Sequence, residues 1–224
     1  TAYEMCGRDW SSDVCSSDLS ASLGCKFTLQ VTPYYNKPPQ QGLKEHFFAI
    51  ANATDLNVIL YNVPSRTACD LLPVTVEQLM EHPKIIGIKE ALADSQRIYD
   101  LVALKGQKRQ EFILLSGDDP TFCYAMQQGF NGVISVAANV IPKVCAKIST
   151  LCQTKNFDEA KELNMQYQSL YELLFCQSNP IAVKWMLNQM GYIKPGIRLP
   201  LVELDQSYHN VVKSLLERLS LIHA

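Results

Sequence analysis

Three residues of this chain have types and spacing suited to amine chemistry on a keto acid: Lys89, Tyr61 and Arg66. Lys89 closes the apolar run Ile85-Ile86-Gly87-Ile88, and Tyr61 closes the run Asn57-Val58-Ile59-Leu60. Side chains alternate along a strand, so Gly87 and Lys89 share one face while Ile86 and Ile88 share the other. With the isoleucines turned toward helices, the lysine projects from the opposite face above a residue that has no side chain. A cramped, poorly hydrated surrounding disfavours an ammonium and lowers its pKa. The neutral amine is the form that attacks a ketone to give a Schiff base. Tyr61 ends the preceding strand, which sets a phenol one strand over, ~5 Å away along the sheet, where it can carry protons to and from a carbinolamine. Arg66 follows in the Pro64-Ser65-Arg66-Thr67 loop on the same side, and its planar fork suits a carboxylate. Each residue also has a plainer reading: a strand-end lysine in solvent or paired with Glu90, a tyrosine plugging a core, a solvated loop arginine. Their coincidence on one expected face is what points to catalysis.

The elements that must hold these residues follow from hydrophobic patterning. Short apolar runs at Phe27–Thr32, Asn57–Tyr61, Ile85–Lys89, Phe112–Ser116 and Gly132–Val136 read as strands, with helical patterns over 43–52, 76–81, 95–105 and 120–128 between them. Continuous short runs separated by helices indicate parallel strands buried on both faces, and five such units in succession argue for an α/β fold. After Ile141 the strands stop, and 142–152, 157–176, 180–190 and 206–219 read as helices. Asn156 stands where it would cap the second of these, with Asp158 and Glu159 in its first turn. The third opens at Pro180 and closes at Gly191.

Polar residues gather at the C-terminal ends of the runs: Thr32, Tyr34 and Tyr35; Tyr61 and Asn62; Lys89 and Glu90; Ser116 and Asp118; Ser135. A (β/α)₈ barrel builds its site on that face. An open doubly wound sheet would use one switch point and show a glycine-rich phosphate turn, and no G-x-G-x-x-G or P-loop is present. The expected fold class is therefore α/β, of the (β/α)₈ TIM barrel family, comprising about the last five strand–helix units and a C-terminal helical extension. The expected organisation is 1–20 as a remnant plus a foreign segment, 21–141 as the partial barrel and 142–224 as the helical extension. The foreign segment is 7–19, where Ser-Ser-Asp-x-Cys-Ser-Ser-Asp repeats without hydrophobic period or turn logic; it reads as a translated adapter and is set aside from fold reasoning.

Composition narrows the function classes. The 224 residues are 47% hydrophobic and 19% charged, enough apolar material for a core and too much for a disordered chain. A formal charge of −2 without blocks of like charge argues against nucleic acid or a membrane surface as partner. No apolar run approaches the ~18 residues of a membrane span. The eight cysteines are scattered without a Cys-x-x-Cys pair and read as reduced thiols in a cytoplasmic protein. The four histidines show no ligand spacing, so no metal site is expected.

Five stretches carry a resemblance: Val31-Thr32-Pro33-Tyr34-Tyr35-Asn36-Lys37-Pro38, Leu60-Tyr61-Asn62-Val63-Pro64-Ser65-Arg66-Thr67, Gly87-Ile88-Lys89-Glu90-Ala91, Leu115-Ser116-Gly117-Asp118-Asp119 and Gly132-Val133-Ile134-Ser135-Val136. In this order they closely resemble dihydrodipicolinate synthase, also called 4-hydroxy-tetrahydrodipicolinate synthase, from about Ala21 to the C-terminus. The resemblance implies a class I aldolase-type lyase that condenses pyruvate with L-aspartate 4-semialdehyde in lysine and diaminopimelate synthesis. It implies that Lys89 forms the Schiff base, that Tyr61 relays protons, and that Arg66 receives the carboxylate of the semialdehyde. Ile134 and Ser135 would line the pyruvate pocket. Tyr35 would reach across a tight-dimer interface into a neighbouring site, and Tyr34 would lie near a lysine-feedback cleft. No metal or organic cofactor is implied, since the amine is its own electron sink, and the intact protein is expected to be a homotetramer of tight dimers. The family's first three strands, with a Gly-Thr-Thr-Gly-Glu stretch, have no counterpart here, so this chain is expected to be a truncated and inactive piece of the synthase. One departure, Asn179-Pro180-Ile181-Ala182-Val183-Lys184 where a second proline is common, falls in the helical extension and is read as neutral for catalysis. The rival readings are another pyruvate-dependent lyase, such as N-acetylneuraminate lyase, and a non-catalytic α/β fragment. The Ser-Arg-Thr loop and Tyr34-Tyr35-Asn36 weigh against the first.

Overall fold

In a computed structural model, Ser17 and residues 19–223 are described, and they divide into two compact units: residues up to 118 with 128–134, and 119–127 with 135–223. Most of the segment 7–19 lies outside the described residues.

The first unit is a five-stranded parallel sheet in the order β1 to β5. Its elements are β1 (Phe27–Val31), α1 (Gln40–Ala53), β2 (Asn57–Asn62), the single turn α2 (Pro64–Thr67), α3 (Pro73–Leu79), β3 (Ile85–Glu90), α4 (Ser95–Lys108), β4 (Ile113–Ser116) and β5 (Gly132–Val133). The expected strand–helix alternation is present, in chain order across the sheet. Val58, Leu60, Ile85, Ile88 and Leu114 are buried with Leu43, Phe47 and Ile50 of α1, Val76 and Leu79 of α3, and Ile98 and Leu101 of α4. Fully burying each such side chain contributes ~1.5–3 kcal/mol. The alternate strand positions, Leu29, Ile59, Tyr61, Ile113 and Leu115, are only partly covered. α4 starts on a working cap: the carboxylate of Asp94 accepts from the backbone N of Arg97 at 2.7 Å, and Lys105 and Lys108 lie in its last turn, against the negative end of the helix dipole.

The second unit is helical: most of α5 (Phe122–Gln128), a 3₁₀ turn (Ala137–Asn139), α6 (Pro142–Gln153), α7 (Phe157–Met165), α8 (Gln168–Leu173), α9 (Ile181–Gln189) and α10 (Gln206–Arg218). Three expectations are corrected here. The single helix over 157–176 is two, because the backbone N–H groups of Gln166 and Tyr167 bond three residues back, to Leu163 and Asn164, and tighten the end of α7. Buried Asn164 fixes the break, accepting from the Tyr171 hydroxyl at 3.0 Å and donating to the Pro120 carbonyl at 3.4 Å. Asn156 stands at the N-cap of α7 but does not cap it; its amide donates to Thr154 Oγ1 instead. The fifth strand stops at Val133 rather than running to Val136, since the N–H groups of Val136 and Ala137 turn to the carboxylate of Asp119, at 3.1 and 2.9 Å.

Candidate active site

Parallel pairing of β2 and β3 sets Tyr61 opposite Lys89 and Asn62 opposite Glu90. Because side chains alternate, the two pairs fall on opposite faces of the sheet, and they have different characters.

On one face, Lys89 is 8% exposed, and its Nζ stands 4.2 Å from the centroid of the Tyr61 ring. A cation over an aromatic face within about 6 Å is attracted to it. The phenol of Tyr61 is half-buried, and burial pushes its pKa up, with the charge of Arg66 opposing. Arg66 itself is exposed, on the one-turn α2, which begins at Pro64 and ends at Ala68 in the left-handed region. Lys89, Tyr61 and Arg66 are thus brought to one end of neighbouring strands, in the arrangement expected from their positions in the sequence.

The other candidates fall elsewhere. Tyr35 is 82% exposed, on the loop after β1. Ile134 is exposed, and its backbone N donates to the Ser116 carbonyl at 2.9 Å. Ser135 belongs to the helical unit, where its hydroxyl accepts from Ala138 N at 2.8 Å and lies 3.8 Å from Cys145 Sγ.

The opposite face carries a buried charge network. The Asn62 amide donates to Glu90 Oε1 and Oε2 at 3.1 and 3.0 Å and to Asp70 Oδ1 at 2.8 Å, while its oxygen accepts from Leu71 N at 2.9 Å. The Arg97 guanidinium donates to Glu90 Oε2 at 3.0 Å, to Asp70 Oδ1 and Oδ2 at 3.0 and 2.7 Å, and to the Leu71 carbonyl at 3.2 Å. Glu90 Oε1 also accepts from Leu92 N at 2.8 Å. Burial raises the Glu90 carboxyl above the usual range, against the bonds from Asn62 and Leu92 and the charge of Arg97. For Asp70 burial also pushes upward, but the bonds from Arg97 and Asn62 outweigh it and hold the carboxyl low. The network ties the chain after β2, which carries Arg66, to the chain after β3, which follows Lys89. Sequence reasoning marked Asn62 and Glu90 as polar strand ends but missed Arg97 and Asp70, which bond each other across 27 residues of chain.

Two glycines frame the lysine differently from the expectation. Gly87 does not open space beneath it: a Cβ there would stand 2.6 Å from the Ile113 carbonyl oxygen, so the glycine admits the backbone of β4. The glycine against the lysine is Gly117, where a Cβ would lie 2.8 Å from Lys89 Cε. Among the described residues no group of histidines, cysteines and carboxylates could hold a metal ion, and no helix is long and apolar enough to cross a membrane.

Comparison with known proteins gives a consistent set of likenesses. The sequence model of the dihydrodipicolinate synthetase family matches residues 11–219. The 4-hydroxy-tetrahydrodipicolinate synthase of Coxiella burnetii is 48% identical over 199 residues, which cover 89% of this chain and 67% of that protein. That of Pseudoalteromonas atlantica is 43% identical over 201 residues, 89% of this chain and 68% of that protein. Among solved structures, the dihydrodipicolinate synthase of Acinetobacter baumannii complexed with pyruvate superposes with a TM-score of 0.91 at 41% identity, covering 95% of this chain and 72% of its own. The Thermotoga maritima enzyme does so with a TM-score of 0.92 at 36% identity, with the same coverage.

Proposed function

This chain belongs to the dihydrodipicolinate synthetase family, lyases of lysine and diaminopimelate synthesis built on the α/β barrel fold, and we propose that Lys89 is the amine that forms a Schiff base with pyruvate. The observation that carries this reading is the buried Lys89 Nζ held 4.2 Å over the Tyr61 ring, at the C-terminal ends of paired strands. That end is where this fold assembles chemistry.

The Lys89 amine adds to C2 of pyruvate to give a carbinolamine, which expels water once its hydroxyl takes a proton from the Tyr61 phenol. The raised pKa of that phenol keeps it protonated at neutral pH, as a proton donor requires. The Tyr61 phenolate left by that step takes a C3 proton from the imine to give an enamine, whose carbon attacks the aldehyde of L-aspartate 4-semialdehyde while the phenol returns the proton to the aldehyde oxygen. Arg66, exposed at the site's edge, receives the carboxylate of that second substrate through a bidentate fork. The semialdehyde's own amine then displaces Lys89, closing the ring of 4-hydroxy-tetrahydrodipicolinate and freeing the enzyme.

Ile134 and Ser135 are proposed to line the pyruvate pocket. Tyr35 is proposed to act in a neighbouring subunit of a homotetramer of tight dimers; its solvent-exposed ring supports a role outside its own subunit. A cytoplasmic location accords with the free thiols of Cys25, Cys69, Cys123, Cys145, Cys152 and Cys176.

The test is to incubate the chain with pyruvate, reduce with borohydride and map the peptides by mass. This reads only the first half-reaction, which depends on Lys89 and its neighbours. A pyruvate-derived adduct on Lys89, absent from Lys89→Met, is the expected result. An adduct on another lysine, or none in a chain that is folded by circular dichroism, would overturn the assignment.

A further inference from the structure

The structure assigns a positioning role to Gly117: its missing side chain lets the backbone of the turn after β4 press on the Lys89 stem and hold the amine over Tyr61. A Cβ built at Gly117 would lie 2.8 Å from Lys89 Cε, 2.9 Å from Ala91 Cβ and 3.3 Å from Ala91 Cα. The two contacts under 3.0 Å are closer than carbon atoms at rest approach, so any side chain at 117 must displace both Lys89 Cε and Ala91 Cβ or shift itself.

Conformation does not demand glycine there. Gly24, Gly129, Gly191 and Gly196 have positive φ, and Gly117 does not, so an L-residue suits the backbone and only space excludes it. Nor can the turn retreat freely. Gly117 N donates to the Glu90 carbonyl at 2.7 Å, and Ala91 N donates to the Asn62 carbonyl at 2.9 Å. Glu90 and Asn62 are the members of the charge network that follow Lys89 and Tyr61 in their strands. Gly117 is therefore fixed through the main chain of the residue after Lys89, with the Tyr61 ring facing the amine.

The two conflicts differ in kind. Lys89 Cε is near the free end of a flexible side chain and can yield by rotation, which takes Nζ off the ring. Ala91 Cβ is tied to the backbone and can yield only with strain, of ~1–3 kcal/mol for an overpacked site. Gly117→Ala alone therefore mixes lost positioning with lost stability. Adding Ala91→Gly removes the severe conflict with Ala91 Cβ, leaving the 2.8 Å conflict with Lys89 Cε and a milder 3.3 Å approach to the Cα of residue 91.

The consequence for catalysis rests on the Schiff-base reading of Lys89; the positioning itself does not. Two readouts keep them apart. The first is reductive methylation of the full chain with formaldehyde and cyanoborohydride, quantified at Lys89 by peptide mass mapping from pH 6 to 10. The second is the pyruvate–borohydride adduct at Lys89. With Ala91→Gly as the reference, Ala91→Gly/Gly117→Ala is expected to unfold at a similar urea concentration. Its Lys89 methylation profile should shift along the pH axis, and its pyruvate adduct should form at least tenfold more slowly. A change in stability alone would move neither the pH profile of the folded protein nor the methylation of distant lysines. A methylation profile at Lys89 that superposes on that of Ala91→Gly would overturn the positioning role. Absence of a pyruvate adduct from every variant, with the methylation profile still shifted, would uphold the role of Gly117 and overturn the Schiff-base reading.

Discussion

Replacing Arg97 by Met tests whether the charge network behind the site is a working lock. The guanidinium makes four hydrogen bonds, three to the carboxylates of Asp70 and Glu90 and one to the Leu71 carbonyl. The two carboxylates do not count equally. Asp70 has a side chain 33% exposed, so water takes over much of what Arg97 supplies and its share falls below ~1 kcal/mol. Glu90 has a side chain 1% exposed, and stranding a charge at such a site costs ~3–5 kcal/mol. A loss of about 4 kcal/mol is expected, measured by urea unfolding followed by circular dichroism at pH 8.

The pH dependence separates this account from a loss of packing. A carboxyl whose folded pKa is raised, as burial raises that of Glu90, contributes stability below its unfolded pKa and loses it as pH climbs through the folded one. Without Arg97 that folded value moves higher still, so acidification from pH 8 to 5 protonates the stranded Glu90 and narrows the variant's deficit. Asp70 acts in the same sense on the comparison. Its carboxyl is held low in the intact protein, which gives stability above its unfolded pKa and loses it as pH falls through the folded one. The variant lacks that contribution and has less to lose. Removing the stranded charge as well, in Arg97→Met/Glu90→Gln, should recover about 2 kcal/mol. A deficit under about 1 kcal/mol, one that stays constant from pH 8 to 5, or no recovery in the double variant would each refute the reasoning.

Tyr61→Phe keeps the ring that faces Lys89 and removes only the proton donor; the pyruvate adduct at Lys89 should form about 10²-fold more slowly, as read by quenching with borohydride at intervals. In the intact chain the raised phenol contributes stability below its unfolded pKa near 10 and loses it as pH rises through the folded value, so Tyr61→Phe should flatten the fall in stability above pH 10. Gly87→Ala would drive a methyl to 2.6 Å from the Ile113 carbonyl oxygen and 2.8 Å from Ile113 Cβ, against strand backbone that cannot rotate away. A loss of about 3 kcal/mol is expected in the same urea assay, and a neutral effect would mean that β3 and β4 are not paired as described.

The sheet and its order were legible because each strand is a short apolar run bounded by turn residues and each connection is a helix. Lys89, Tyr61 and Arg66 were legible for the same reason: alternation fixes a face, and the ends of adjacent parallel strands are neighbours. What escaped were features set by three-dimensional neighbours rather than by pattern. The break between α7 and α8 has no proline or glycine to announce it; it depends on the side chain of Asn164 reaching Tyr171 and Pro120. Gly87 reads in sequence as an opening beneath the lysine, but only the position of Ile113 shows that it admits a strand. Arg97 lies on a helix that reads as amphipathic, where an arginine is ordinarily solvated; its burial becomes visible only once Asp70 and Glu90 are seen converging on it.

Consecutive residues at the ends of β2 and β3 are assigned opposite duties by the two-residue repeat of a strand. Tyr61 and Lys89 face the proposed site; Asn62 and Glu90, one position on, face the buried side and bond to each other. A slip of one residue in the β2–β3 register would exchange the faces, setting a lysine in the apolar layer and a carboxylate at the site. The Asn62 amide opposes that slip, because its bonds to Glu90, Asp70 and Leu71 are made in the register observed and turning the side chain to the other face breaks them. The buried polar cluster thus supplies specificity where hydrophobic burial alone, which is indifferent to the identity of its partners, does not. Gly117 is tied to the same strand end through the main chain, its N–H donating to the Glu90 carbonyl. Side-chain bonds between Asn62 and Glu90 and the main-chain bond from Gly117 to Glu90 thus fix the strand ends from which Tyr61 and Lys89 project.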